Sequence, residues 1–122
     1  MAKTILTIDD SASIRQMVSM TLMTAGYDVV EAADGAEGYE KAIAQPIDAV
    51  LTDLNMPVMN GIEFVRKFRE HPSSKGVPII LLTTESDDEL KRRAKEAGAT
   101  GWIVKPFKQD QLLAVIKKVT GA

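Results

Sequence analysis

The sequence contains no cysteine, one histidine and one tryptophan in 122 residues. The missing cysteine excludes disulfides, thiolate nucleophiles and thiolate metal ligands, and it fits a cytoplasmic setting. The lone histidine, His71, precedes Pro72 in a polar connection far from the acids discussed below, so it reads as loop surface. No apolar run approaches the roughly 18 residues that cross a bilayer, and no charged leader with an apolar stretch opens the chain, so neither a membrane span nor secretion is expected. Neither GxGxxG nor GxxxxGK[ST] occurs, and Gly35 and Gly38 are too isolated to cradle a phosphate. Internal repeats and low-complexity tracts are also missing.

What is present is an ordinary globular composition, 45% hydrophobic and 26% charged, at a length that suits one domain over residues 1–122. The net charge of −2 gives no general attraction to nucleic acid or to an anionic membrane. Its distribution is uneven. Before Gly61 the only bases are Lys3, Arg15 and Lys41, whereas Lys91, Arg92, Arg93, Lys95, Lys105, Lys108, Lys117 and Lys118 crowd the last third. Such a run reads first as solvated helix faces and second as a surface for an acidic partner.

Short apolar runs at residues 4–8, 28–31, 49–52, 77–82 and 101–104 alternate with helix-period segments, and their Ile, Val and Leu content suits strands buried on both faces. In the first helical segment Ile14, Met17, Val18, Thr21, Leu22 and Ala25 form a stripe. Met17, Met20 and Met23, three residues apart, read as adaptable core filling. A second helix is expected over 36–44 and a third over 61–70, with Phe64, Val65 and Phe68 inward. Two more follow, one seamed by Leu90, Ala94 and Ala97 and one by Leu112, Val115, Ile116 and Val119. Strict alternation predicts an open α/β fold, a five-stranded parallel sheet doubly wound by helices. Such folds bind ligands beyond the carboxyl ends of their strands.

Those ends carry Asp9 and Asp10, Asp53, Thr83 and Thr84, and Lys105. One acid there is commonly a helix N-cap, a reading open to Asp10. Three acids converging need a compensating cation, because unit charges about 4 Å apart repel by roughly 4 kcal/mol at an effective dielectric of about 20. Oxygen-only donors point to Mg²⁺, with Mn²⁺ possible. Asp53 is then placed as a nucleophile that would become an aspartyl phosphate. Thr83 and the Thr84 N–H would meet phosphoryl oxygens, and Lys105 would offset their charge.

The acid pair in IDDS, Asp53 in LTDLNMPVMNG, Thr83 in LLTTES, Trp102 and Lys105-Pro106-Phe107 together resemble the receiver domain of two-component response regulators, over essentially the whole chain. The resemblance implies a flavodoxin-like (βα)5 fold with strand order 2-1-3-4-5. It implies Asp10 and Asp53 as direct metal ligands, Asp9 as a ligand through water and Asn55 through its backbone carbonyl. It further implies Thr83 and Trp102 as switch residues, Lys105 at the phosphate, and a cis peptide between Lys105 and Pro106. Thr84 and Trp102 stand where the family usually has a small residue and Tyr or Phe.

Asn55 and Glu85, two residues beyond Asp53 and Thr83, resemble chemotaxis regulators more than most receivers and would tune dephosphorylation. The implied partners are a sensor histidine kinase as donor, a target such as a flagellar motor component, and a phosphatase, acting on a monomer. Lys91, Arg92, Lys95, Trp102 and Lys108 are the expected partner surface. No effector domain is expected. A stand-alone phosphorelay carrier or phosphate sink is the alternative within the family. A flavin mononucleotide carrier on the same fold would need small hydroxyl or glycine residues where Asp9 and Asp10 stand. A haloacid-dehalogenase-like phosphatase would carry its nucleophile on the first strand and its second acid two residues on, whereas here Asp10 and Ser11 follow Asp9. With its self-phosphorylation and autodephosphorylation chemistry, the chain is expected to be a switch rather than an enzyme.

Overall fold

The computed structural model describes residues 2–84 and 87–121. Strands β1 (Thr4–Ile8), β2 (Asp28–Ala32), β3 (Ala49–Asp53), β4 (Ile79–Thr83) and β5 (Gly101–Val104) alternate with helices α1 (Ala12–Thr24), α2 (Gly35–Ala44), α3 (Gly61–Arg69), α4 (Asp88–Ala97) and α5 (Gln109–Thr120). The strands pair in parallel in the order β2-β1-β3-β4-β5, the flavodoxin-like arrangement. The boundaries of the strands and of α2 and α3 lie within two residues of their sequence expectations. The fourth strand starts two residues later than expected, at Ile79, because Pro78 has no N–H to give to the ladder.

Successive strand residues point to opposite faces, and this alternation sorts the apolar residues into two cores. Leu6, Ile8, Val50, Ile79 and Leu81 pack against α2, α3 and α4, where Phe64 and Phe68 stack with centroids 5.6 Å apart. Ile5, Leu51, Ile80, Leu82 and Ile103 pack against Val18 and Leu22 of α1 and Leu112 and Ile116 of α5. Burying a Phe, Leu or Ile side chain contributes about 1.5–3 kcal/mol, so the sheet is held from both sides.

The methionine reading needs correction. Met20 and Met23 are 67% and 55% exposed, and only Met17 packs against the α1–α5 core. Three residues turn an α-helix by about 300°, so each step of three drifts roughly 60° away from the stripe that Ile14, Val18 and Leu22 keep. Ala25, expected at the end of that stripe, is exposed as the helix C-cap. The polar connection holding His71 contains a 3-10 turn, Pro72–Ser74, which the half-buried His71 caps by accepting from the Ser73 N–H.

Candidate functional site

The carboxyl ends of β1, β3 and β4 meet at one edge of the sheet, where local hydrogen bonds place each side chain. Asp9 follows β1, and its N–H extends the pairing with β2 by donating to the Ala32 carbonyl at 3.1 Å. Its side chain accepts from the Ser11 N–H at 2.9 Å. Ser11, not Asp10, is the N-cap of α1, with its hydroxyl accepting from the Ile14 N–H. The capping explanation for Asp10 therefore lapses, and its exposed carboxylate is left facing its neighbours. Asp53 ends β3 and accepts from the Leu54 N–H at 3.0 Å.

One carboxylate oxygen from each of Asp9, Asp10 and Asp53 lies within 4.8 Å of the others. Lys105, just past β5, places its Nζ 3.2 Å from Asp53 Oδ1 and 3.4 Å from Asp9 Oδ2. Its backbone N–H donates to the Thr83 carbonyl at 2.7 Å, and its bond to Pro106 is cis, as the resemblance implies. Asp9 and Asp53 thus share one ammonium, with a carboxylate oxygen of Asp10 close beside them. Burial raises the Asp53 pKa above the ordinary carboxylate value; Lys105 opposes that rise, Asp9 adds to it, and the hydrogen bonds from Lys105 and Leu54 oppose it. An excess of carboxylate charge with purely oxygen donors fits a hard divalent cation that keeps part of its water.

Thr83, at the end of β4, is 1% exposed and lies on the sheet face that carries Ile79 and Leu81. Its register partner on β5 is Val104, while Trp102 pairs with Leu81. Trp102 is half-buried against the α2–α3–α4 core, so Thr83 and Trp102 share one face on adjacent strands. Beside Trp102 lies a groove of about 250 Å³ lined also by Lys91, Lys95, Ala94 and Thr100. Arg92 is bridged along α4 by Glu89 and by Glu96 at 2.6 Å, so its charge is largely spent within the helix. Lys108 is exposed at the start of α5 and does not line this groove. Thr84 and Asn55 are exposed near the strand ends, and Glu85 lies outside the described residues.

Two features escaped the sequence reading. Gly61 looks like a turn glycine, but what it provides is space: a Cβ there would stand 2.5 Å from the Asp53 carbonyl oxygen. Val58 sits at φ +70°, a region a β-branched residue rarely adopts, where Met59 N–H closes a tight turn onto the Pro57 carbonyl at 2.7 Å.

Residues 5–117 match the response regulator receiver domain. The chain belongs to that family. The receiver's relatives include the chemotaxis protein CheY1 of Helicobacter pylori, 41% identical and matched over 96% of both chains. The phosphate regulon regulator PhoB of Pseudomonas aeruginosa is 35% identical over 96% of this chain but only 51% of its own length. Among solved structures, the chemotaxis protein CheY4 of Vibrio cholerae superimposes with a TM-score of 0.94 at 49% identity, covering 98% of this chain and 99% of that one. The receiver domain of the Pseudomonas aeruginosa sensor kinase PA1611, with a magnesium ion in its active-site cleft, has a TM-score of 0.91 at 29% identity over the full length of both. This receiver is therefore a two-component signalling module similar to CheY, and its acidic cluster is compatible with magnesium.

Proposed function

We propose that this receiver is a chemotaxis-type switch operated by phosphorylation of Asp53. The observation that carries the reading is the convergence of three carboxylates, two of them in contact with Lys105, at the edge of a parallel sheet. An Asp53 carboxylate oxygen attacks the phosphorus of a phosphohistidine donor; an O–P bond forms, the P–N bond breaks, and the histidine nitrogen leaves with the electron pair. Lys105 stands beside the attacking carboxylate and balances negative charge on the phosphoryl oxygens. The Thr83 hydroxyl and the Thr84 N–H donate to those oxygens.

Asp10, Asp53 and the Asn55 carbonyl would hold magnesium directly and Asp9 through water, and the ion would offset the charge gathered on the phosphoryl group. Manganese, with the same donor preference, would substitute. Asn55 and Glu85 would set the lifetime of the aspartyl phosphate. A flavin carrier is disfavoured because the loop after β1 presents carboxylates where a phosphate would sit.

The donor is a sensor histidine kinase. Output goes through protein contact in the cytoplasm, from a monomer. Among the described residues no helix is long and apolar enough to cross a membrane. The groove beside Trp102, with Lys91 and Lys95 at its edge, suits an acidic segment of a target such as a flagellar motor component or a phosphatase.

Radiolabelled transfer from a phosphohistidine donor tests the reading. Label should appear with magnesium and disappear in chelator and in Asp53→Asn; persistent label in either would refute it.

A further inference from the structure

Arg15 has no part in the chemistry described so far, yet it reaches the acid pair. From α1 its Nη1 donates to the Asp9 carbonyl at 2.6 Å, while its Nε donates to Glu31 Oε1 on β2 at 3.0 Å. Its side chain is 20% exposed, so the contact is largely shielded from water. Asp9 is then held by its N–H on Ala32, by its carboxylate on the Ser11 N–H and Lys105, and by its carbonyl on Arg15.

The Asp9 carbonyl belongs to the same rigid plane as the Asp10 N–H and Cα. Fixing that carbonyl fixes the direction in which Asp10 leaves β1, and with it the place of an exposed carboxylate that has no hydrogen bond of its own among the described residues. We infer that Arg15 is a positioning residue for the acid pair, presetting Asp9 and Asp10 for a divalent cation through the Asp9 carbonyl while Glu31 orients its guanidinium. The inference rests on the cation reading of Asp9, Asp10 and Asp53.

Charge alone gives the opposite expectation. A guanidinium near three carboxylates repels a cation, and Glu31 cancels much of that repulsion. Removing Arg15 leaves Glu31 unbalanced and, by Coulomb's law, should tighten cation binding. Removing a positioning contact should weaken it, typically by about tenfold for a residue that orients a metal ligand. The sign of the change separates the two.

The test is magnesium titration of the whole chain by calorimetry, well below the melting temperature. Arg15→Met, which keeps the aliphatic stem and helix propensity, should bind about tenfold more weakly. Arg15→Met/Glu31→Gln, which restores the charge balance, should remain weak. Unchanged or tighter binding in Arg15→Met overturns the inference, as does recovery of wild-type affinity in the double variant. A merely structural arginine would lower the melting temperature and leave the dissociation constant alone, which also overturns it.

If Arg15→Met does not fold, Arg15→Lys takes its place, because a single ammonium cannot replace the fork that spans carbonyl and carboxylate. Weaker binding is again expected, and wild-type binding overturns the inference. Asp10→Ala separates this inference from the cation reading. If Asp10→Ala loses magnesium and Arg15→Met does not, the site stands and Arg15 drops out. If wild type binds none, both fall.

Discussion

Replacing Asp53 by asparagine in the presence of chelator should stabilise the protein, although it removes an ion pair. Lys105 lies 3.2 Å from the Asp53 carboxylate, and Asp9 presents an oxygen within 4.8 Å of it. At an effective dielectric of about 20, the attraction is about 5 kcal/mol and the repulsion about 3.5 kcal/mol. The difference slightly favours the charged form, and burial of the carboxylate outweighs it, which is why the Asp53 pKa stands above the ordinary value. Asparagine keeps an acceptor for the Leu54 N–H and for Lys105 without the buried charge. The gain should be on the order of 1 kcal/mol, or about 4 °C in melting temperature for a domain of this size.

The pH dependence follows from the direction of the shift. A raised folded pKa means that the native state holds this proton more tightly than the unfolded chain. The contribution of Asp53 is therefore most favourable below the unfolded value of about 3.9 and declines as pH rises through the folded one. The advantage of the variant should be full at neutral pH and shrink toward pH 4. Magnesium at ten times its dissociation constant should stabilise wild type by about 1.4 kcal/mol and the variant by less. Thermal unfolding followed by circular dichroism reads all three arms. A variant less stable than wild type in chelator would mean that the Lys105 pair outweighs the buried charge, and equal magnesium shifts in both proteins would remove Asp53 from the ligand set.

Three further outcomes follow from the site and its supports. Gly61→Ala puts a Cβ 2.5 Å from the Asp53 carbonyl and 2.9 Å from Leu81, and should cost about 1–3 kcal/mol in urea denaturation; an unchanged midpoint would show that the backbone yields freely. Val58 is 82% exposed at φ +70°, so Val58→Gly should relieve about 1–2 kcal/mol of strain against about 0.5–1 kcal/mol of added chain entropy, for a small net stabilisation. A destabilised variant would mean that the Val58 side chain has a packing role. Beryllofluoride with magnesium should change the emission of Trp102 in wild type and much less in Thr83→Ala, and identical responses would remove Thr83 from the coupling.

The strand ends were legible because a parallel α/β sheet sends one end of every strand to the same edge, so the order of residues along the chain already grouped Asp9, Asp10, Asp53, Thr83 and Lys105. Whether Asp10 caps α1 was not legible, since Ser11 is an equally good cap and only the Ile14 hydrogen bond decides between them. The methionines misled because a spacing of three fits a helix over one step and drifts off its buried face over two. Gly61 did not stand out, because close approach of two backbones leaves no mark in sequence that separates it from a turn. Arg15 was counted only as one of the few early bases, and its reach to the Asp9 carbonyl depends on how α1 packs beside β2. Arg92 looked available for a partner, although the spacing of Glu89 and Glu96, three residues before and four after, already signalled bridges along the helix.

The five-stranded sheet also acts as a partition between two audiences. Thr83 and Trp102 belong to the side that packs on α2, α3 and α4, whereas α1 and α5 rest on Ile5, Leu51, Ile80, Leu82 and Ile103 from the other side. A displacement that begins at Thr83 can reach the α4 surface across one strand spacing, about 4.8 Å, without repacking anything beneath α1. A partner seated on the α1 side would meet the same surface before and after phosphorylation and bind without regard to the message. A partner seated beside Trp102 would be admitted or refused by it. Because the sheet is closely packed on both sides, this small domain can offer a constant handle and a conditional one without a hinge or a second domain to keep them apart.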